Sequence, residues 1–314
     1  MAEEIGAELD PAEHIRSPAK ILYSSLTKSY EGPVIIEGGM PLLHGSCLKL
    51  FNQIEGPLIL LAADETQLNL KKHSLSYISA AEEAIHSVTH KFVDGAIAVS
   101  DPVAEATQAL VDGPIKVSEP FIESSRYQNL PTHNQTKKSA GPLQVLNVGE
   151  YKPGNGQDLL IDSLEYTNSN IEVSFVGPGT GSINSDDKNI NALGFVDEST
   201  LIEKYCSSDL LVFSGRTGAF PVATLEAWRA GLPTLVTKRI GTAPYVHSIS
   251  NDLVVECNPR KIADGIEWFA SQSTEDREKL GSKFYDISSE YSESRGRLRF
   301  KRAYNEMLEE LDYS

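Results

Sequence analysis

Short apolar, β-branched runs that end in glycine or a polar residue recur through the second half of this 314-residue chain. They are LQVLNVG (143–149), IEVSFVG (171–177), INALGFV (190–196), DLLVFSG (209–215), PTLVT (233–237) and DLVVE (252–256). Between most of them lie segments with helical spacing, GQDLLIDSLEY, STLIEKYCSS and ATLEAWRAG, and RKIADGIEWFASQ follows the last run. Strands this apolar are buried on both faces, and their alternation with helices requires a mostly parallel sheet with helices on both sides. The helix start signals agree. Asp197 is placed to cap ESTLIEKY, and Asn258-Pro259 joins a cap to a proline at the first helical position. The second half therefore reads as a Rossmann-like α/β domain.

The first half repeats the theme less completely. AKILYSS (19–25), PVIIEGG (33–39), LILLAAD (58–64), GAIAVS (95–100) and PIKVSEP (114–120) read as strands. LSYISAAEEAIHSVTHKFV (75–93) reads as a long amphipathic helix, and Asp101-Pro102 starts another that stops at Gly113. SSRYQNLPTHNQTKKSAGP (124–142) is polar, contains prolines and has no apolar period, so it reads as an interdomain linker. After Tyr291 the chain becomes SESRGRLRFKRAYNEMLEELDY, a basic-then-acidic helix.

Composition narrows the function classes. A net charge of −16, from 28 basic and 44 acidic residues, argues against a nucleic-acid partner and against a strong pull toward anionic lipid. Peripheral membrane or complex association stays open. Cys47, Cys206 and Cys257 are widely spaced and odd in number, as expected of reduced thiols in a cytoplasmic protein. No run reaches the length of a membrane span, and MAEEIGAELDPAEH lacks the pattern of a signal peptide.

Chemistry in an open α/β sheet belongs at the carboxyl ends of the strands. Four glycine turns fall there: Gly149, Gly177-Pro178-Gly179-Thr180-Gly181, Gly194 and Ser214-Gly215. GPGTG fits neither GxGxxG nor a Walker loop and is a weak signal alone. SGRTGAFPVATLEAWRAGLPTLVT (214–237) is more specific. Pro221 suits the first turn of a helix, so Gly218-Ala219-Phe220 would present free amides that attract phosphate. Glu226 lies five residues beyond, about 7 Å along the axis, amid apolar neighbours. A carboxylate at that depth suits the hydroxyls of a ribose whose diphosphate rests on the helix end.

These segments, taken in order, resemble retaining glycosyltransferases of family 4, which have the GT-B fold. The likeness runs from about 143 to 256 through GEYKPGNGQDLLIDSL, EVSFVGPGTG, LGFVDESTLIEKYCSSDLLVFSG and FPVATLEAWRAGLPTLVT, and touches DGAIAVSDPVAEATQAL in the first half. It implies two Rossmann-like doubly wound domains facing a cleft: residues 1–123 on the acceptor side, a linker at 124–142, a nucleotide-sugar domain at 143–290, and a helix at 291–314 crossing back to the first domain. The sequence before Val34 is short for such a first domain, so its opening units are expected to be trimmed or lost. The implied activity is transfer of a hexose from a nucleotide-sugar to an unknown acceptor, with no metal and no separate cofactor. Glu226 matches the ribose-binding member of the family's Glu-x7-Glu pair. Gly177 and Gly179 match the glycine turn after the second strand, Phe195 and Val196 the segment beside the nucleobase, and Ala219 and Phe220 the backbone that meets the diphosphate.

The sequence departs from the family in three places. Gly218 stands where the first Glu of the pair is found, Glu150 where an Arg follows Gly149, and Asn155 where a Lys precedes Gly156. The last two ordinarily clamp the diphosphate and stabilise the leaving group. Lys152 and Arg216 are the expected replacements, with Lys238-Arg239 at the same sheet edge. On the acceptor side His44 is placed to orient a hydroxyl or touch the leaving phosphate, and Asp64 and Glu65 to act as base. His73, His86 and His90 read as helix-surface residues. His86 and His90 have i,i+4 spacing but no catalytic Glu between them and no third ligand, which argues against a metal site. A second reading is a catalytically inactive relative that binds a sugar nucleotide or glycan beside an active enzyme. A third is an epimerase-like enzyme of the same fold.

Overall fold

A computed structural model of the chain describes residues 18–64, 68, 80–130, 141–183 and 189–313. The chain divides into two compact units, Met1–Pro120 with Ser294–Ser314, and Phe121–Glu293.

The first unit carries α1 (Pro18–Thr27), β1 (Val34–Glu37), α2 (Met40–Leu50), β2 (Leu58–Ala62), α3 (Ala80–Thr89), β3 (Gly95–Ala98), α4 (Asp101–Gln108) and β4 (Ile115–Val117). Its strands form one parallel sheet in the order β1-β2-β3-β4. AKILYSS is not a strand; it is the body of α1. Ile21, Ser24 and Ser25 are buried at helical spacing, while Leu22, Tyr23 and Leu26 face out. The Ser25 hydroxyl donates to the Ile21 carbonyl at 2.8 Å and Thr27 to Tyr23 at 2.9 Å, so the hydroxyls close on the helix itself. The amphipathic segment expected over 75–93 is helical at Ala80–Thr89, followed by a 3-10 turn at His90–Phe92; its first five residues lie outside the described ones. Helix α4 starts at Asp101, with Ser100 in the cap position.

The second unit carries α5 (Ser124–Asn129), β5 (Leu143–Val148), α6 (Gln157–Ser163), β6 (Ile171–Val176), β7 (Ile190–Gly194), α7 (Glu198–Ser207), β8 (Leu210–Phe213), α8 (Val222–Arg229), β9 (Thr234–Thr237), α9 (Ala243–Ile249), β10 (Val254–Val255), α10 (Pro259–Ser271) and α11 (Thr274–Ser288). The six strands form a parallel sheet in the order β10-β9-β8-β5-β6-β7. That order runs outward from β5 in both directions, so crossovers of one hand place helices on both faces. Two expected caps are present: the Asp197 carboxylate accepts from the Thr200 amide, and the Asn258 side chain accepts from the Arg260 amide. The segment read as a linker is partly helical, because α5 lies inside it. Pro221 is the residue before α8 rather than its first residue.

The last helix, α12 (Glu293–Glu310), belongs from Ser294 onward to the first unit. Phe300, Ala303 and Met307 recur at helical spacing and pack on Ile59 and Ile97, one face of the first sheet. Leu58, the neighbour of Ile59 on β2, points to the other face, against Leu48 and Ile54. Lys116 on β4 holds Glu310 at 2.5 Å and Arg299 holds Glu119 at 3.2 Å. Among the described residues no helix is long and apolar enough to cross a membrane. Met307 is fully buried and Leu298 is 68% exposed on the same helix. Met307→Ala should therefore lower stability by about 2–5 kcal/mol, whereas Leu298→Ala should stay within about 0.5 kcal/mol of wild type. Chemical denaturation followed by circular dichroism measures both.

Candidate functional site

The strand order reverses direction between β5 and β8, and there the ladder is short. Only Val145–Leu210 and Leu146–Leu211 pair in register, against six pairs between β5 and β6. Beyond that point the buried Asn147 side chain donates to the Val212 carbonyl at 2.8 Å, replacing the missing backbone bond. The buried Asn147 thus marks where the two strands part. A crevice at such a reversal is where open α/β sheets bind ligands.

Three glycines let backbones meet at this edge. Gly149 follows β5 and donates its amide to the Val176 carbonyl at 2.9 Å. Gly177, at φ +139°, leaves no room for a side chain: an added Cβ would fall 2.3 Å from the Gly149 carbonyl oxygen. Gly156, at φ +64°, is under the same constraint, with the Ser214 carbonyl oxygen 2.2 Å from an added Cβ. The Ser214 hydroxyl in turn donates to the Gly156 carbonyl at 2.6 Å. The turn after β6 continues through Gly179, whose added Cβ would sit 3.3 Å from the Tyr151 Cβ. The amide of Tyr151 donates to Pro178 at 2.8 Å, so the turns after β5 and β6 are stitched to each other.

The loop after β5 is also held from within and from β8. Asn155 and Gln157 side chains both donate to the Glu150 carbonyl, at 2.8 and 2.9 Å. The Arg216 amide donates to the Gly154 carbonyl at 2.8 Å. The Arg216 guanidinium donates to the Pro153 carbonyl at 2.8 Å and grips both Asp158 oxygens at 2.7 and 2.6 Å. This fork, followed in importance by the opposing effect of burial, holds the Asp158 carboxyl below its ordinary value of 3.8. Asp158 is the partner that the sequence did not disclose.

Glu226 on α8 is only 6% exposed. Its Oε1 is ion-paired with the Arg126 Nε, and its Oε2 accepts from the Tyr205 hydroxyl at 2.7 Å and from a second Arg126 nitrogen at 3.4 Å. Tyr205 is fully buried on α7, and that burial, then the Glu226 charge and hydrogen bond, push its pKa well up, so it remains a donor. One turn further along α8, the Arg229 guanidinium lies 4.4 Å from the centre of the Tyr127 ring. Neighbouring residues of α5 thus engage residues one turn apart on α8.

Residues 131–286 match glycosyl transferases group 1. The match spans just under half of the chain and falls within the second unit. Solved structures share the fold at low identity. Sucrose-phosphate synthase from Thermosynechococcus elongatus is 14% identical over 88% of this chain and 73% of its own, with a TM-score of 0.69. Anabaena HepE in complex with UDP is 16% identical over 92% of this chain and 81% of its own, with a TM-score of 0.66. A UDP-forming α,α-trehalose-phosphate synthase from Burkholderia xenovorans is 11% identical over 96% and 80%, with a TM-score of 0.64. No curated protein matches the sequence. The fold is GT-B, and the group 1 match together with that fold supports a glycosyltransferase.

The matched region, residues 131–286, holds most of the residues singled out from the sequence. Gly149, Gly177 and Gly179 meet at the parted strands, as described. Ala219 and Phe220 are buried, and the Phe220 ring packs on Tyr245 and Tyr291 with centroids 5.6 and 5.8 Å away, leaving its backbone as what it has to offer a ligand. Phe195 is 80% exposed after β7, and Val196 is half-buried beside it. Lys152 and Glu150 are exposed in the loop after β5. Arg216, expected to stand in for the clamp, is instead committed to Asp158, and Lys238 is paired with Glu256 at 2.6 Å. Gly218 packs its Cα face on Ile240, where an added Cβ would fall 3.0 Å from the Cδ1. A side chain there would require the fully buried Ile240 to give by a few tenths of an ångström. In the first unit, His44 is buried on α2. The His90 ring shares a hydrogen bond of 2.6 Å with the carbonyl oxygen of His86 and is buried. Glu65 and His73 lie outside the described residues.

The pH sign of the Arg216–Asp158 bond follows from the depressed pKa. Its contribution to stability is present above the ordinary carboxylate value of 3.8 and lost as pH falls through the lower folded value. The stability difference between wild type and Asp158→Asn should be constant above about pH 5 and shrink toward zero in stronger acid. Urea titrations at a series of pH values test this.

Proposed function

We propose that the chain transfers a hexose from a nucleoside-diphosphate sugar to a hydroxyl acceptor. The donor is held by the second unit at the carboxyl edge of its sheet. The observation that carries this reading is the parting of β5 and β8 at the strand-order reversal, lined by the Gly149 and Gly177–Gly179 turns. The Anabaena neighbour is in complex with UDP in one structure and with UDP-glucose in another, which favours a uridine nucleotide as the first probe.

In this reading the Gly149, Gly177 and Gly179 backbones, with those of Ala219 and Phe220, receive the diphosphate. Phe195 and Val196 lie beside the base, and Glu226 meets the ribose. The anomeric carbon–oxygen bond breaks with its electron pair leaving on the nucleoside diphosphate. The acceptor oxygen forms the new bond and loses its proton to the departing phosphate. Retention of configuration, as in family 4, is the expected stereochemistry. Lys152 supplies positive charge from the loop after β5; Arg216 orders that loop by holding Asp158. His44 orients the acceptor. The reading assigns no metal and no separate cofactor.

A second reading is favoured by specific contacts: a sugar-nucleotide or glycan binder without turnover. Asn155 is spent on the Glu150 carbonyl, Arg216 on Asp158, and Ile240 packs at the Gly218 position. Little developing charge could be met by side-chain cations in that arrangement. Isothermal titration with UDP and UDP-glucose, followed by measurement of glucose release and transfer, separates the two. The transferase reading expects binding in the micromolar-to-millimolar range, about 4–8 kcal/mol, with turnover. Binding without turnover supports the non-catalytic reading, and no binding removes both.

A further inference from the structure

The Glu226 carboxylate offers about four acceptor positions, two on each oxygen. Among the described residues two are taken by hydrogen bonds, both on Oε2, by the Tyr205 hydroxyl at 2.7 Å and an Arg126 terminal nitrogen at 3.4 Å, while the Arg126 Nε faces Oε1 as an ion pair without donating to it. Oε2 is filled, and the open positions lie on Oε1 alone. A diol gripped by a carboxylate in two parallel bonds needs one open position on each oxygen.

The two occupants are not arranged to move aside. Tyr205 is fully buried within α7. Arg126 lies on α5, and α5 is pinned along its length. Before it, Ile122 is buried and donates its amide to Tyr291 at 2.9 Å, while the Ser124 amide donates to the Glu293 carboxylate at 2.7 Å. Beside Arg126, Tyr127 is held under Arg229, and after the helix Leu130 is buried. Glu226 is the buried member of the pair, and losing the half-exposed Arg126 would leave its charge uncompensated, which is unfavourable.

We propose that Arg126 and Tyr205 are positioning residues that restrict Glu226 to reading a single hydroxyl of a bound nucleoside diphosphate. The proposal rests on the reading above that Glu226 meets the ribose, and adds that one of the two ribose hydroxyls is ignored. A nucleotide lacking that hydroxyl binds as well as the parent; one lacking the other forfeits a hydrogen bond to a charged group.

The test compares UDP, 2′-deoxy-UDP and 3′-deoxy-UDP by isothermal titration on the full chain. In wild type, one analogue should bind within about twofold of UDP and the other should weaken by roughly tenfold or more, the loss of one hydrogen bond to a charged group. Glu226→Gln should abolish most of that difference. Arg126→Ala vacates one acceptor position on Oε2, so both analogues should then weaken relative to UDP; a merely structural role for Arg126 would not alter the ratio between analogues. Equal losses for both analogues in wild type would overturn the proposal, because Glu226 would be taking the diol. So would no loss for either, a difference that persists in Glu226→Gln, or an unchanged pattern in a folded Arg126→Ala. If wild type does not bind UDP at all, the donor reading falls and takes this one with it. If UDP binds without the one-hydroxyl preference, only this inference falls. Should Arg126→Ala fail to fold, the wild-type and Glu226→Gln comparisons still decide.

Discussion

Everything at the sheet edge of the second unit depends on two strands that lie side by side and then separate. β5 and β8 share only two register pairs, and the Asn147 amide takes over the Val212 carbonyl where the ladder ends. Past that point the chain must turn in opposite directions without side chains in the way. Gly177 against the Gly149 carbonyl and Gly156 against the Ser214 carbonyl are the solution, since a methyl group at either place would overlap backbone. The result is an edge made of peptide groups rather than of side chains.

A backbone edge suits a ligand bearing negative oxygens, but several polar and charged side chains around it are drawn into the protein's own structure. Arg216 bridges to Asp158 and to the loop carbonyls, Asn155 turns back on the Glu150 carbonyl, and Glu226 is held between Arg126 and Tyr205. Each of these contacts makes the loops more rigid. Each also narrows what a ligand can claim. Under the proposed reading, rigid loops around backbone amides would receive a diphosphate without reorganisation, and Lys152 is the cation that reading assigns to the leaving group.

Much of the second unit was legible in its sequence because each strand is short, β-branched and stopped by glycine or a polar residue, and because Asp197 and Asn258 announce the helices after them. The glycine turns and the buried acid were legible for the same reason: small residues interrupt apolar runs only where a backbone or a charge has a task. What escaped was decided by partners far along the chain. AKILYSS is apolar enough for a strand, yet its buried face is Ile21-Ser24-Ser25, and only the neighbouring helix α2 reveals that spacing as helical. SSRYQN carries no apolar period, since α5 is fixed by Arg126 and Tyr127 reaching residues about a hundred positions away. Arg216 reads as a spare cation until Asp158 is placed opposite it. Pairings of this kind leave no local trace.

The most direct test of the account is a crystal structure of the protein grown with UDP. The account predicts the diphosphate against the backbone of Gly149 and Gly177–Gly179, the ribose at Glu226, and the Arg126–Glu226 pair still in place. UDP bound elsewhere, for example in the shallow surface groove lined by Tyr166, Arg260 and Asp264, would contradict it. So would a nucleotide that leaves Glu226 untouched.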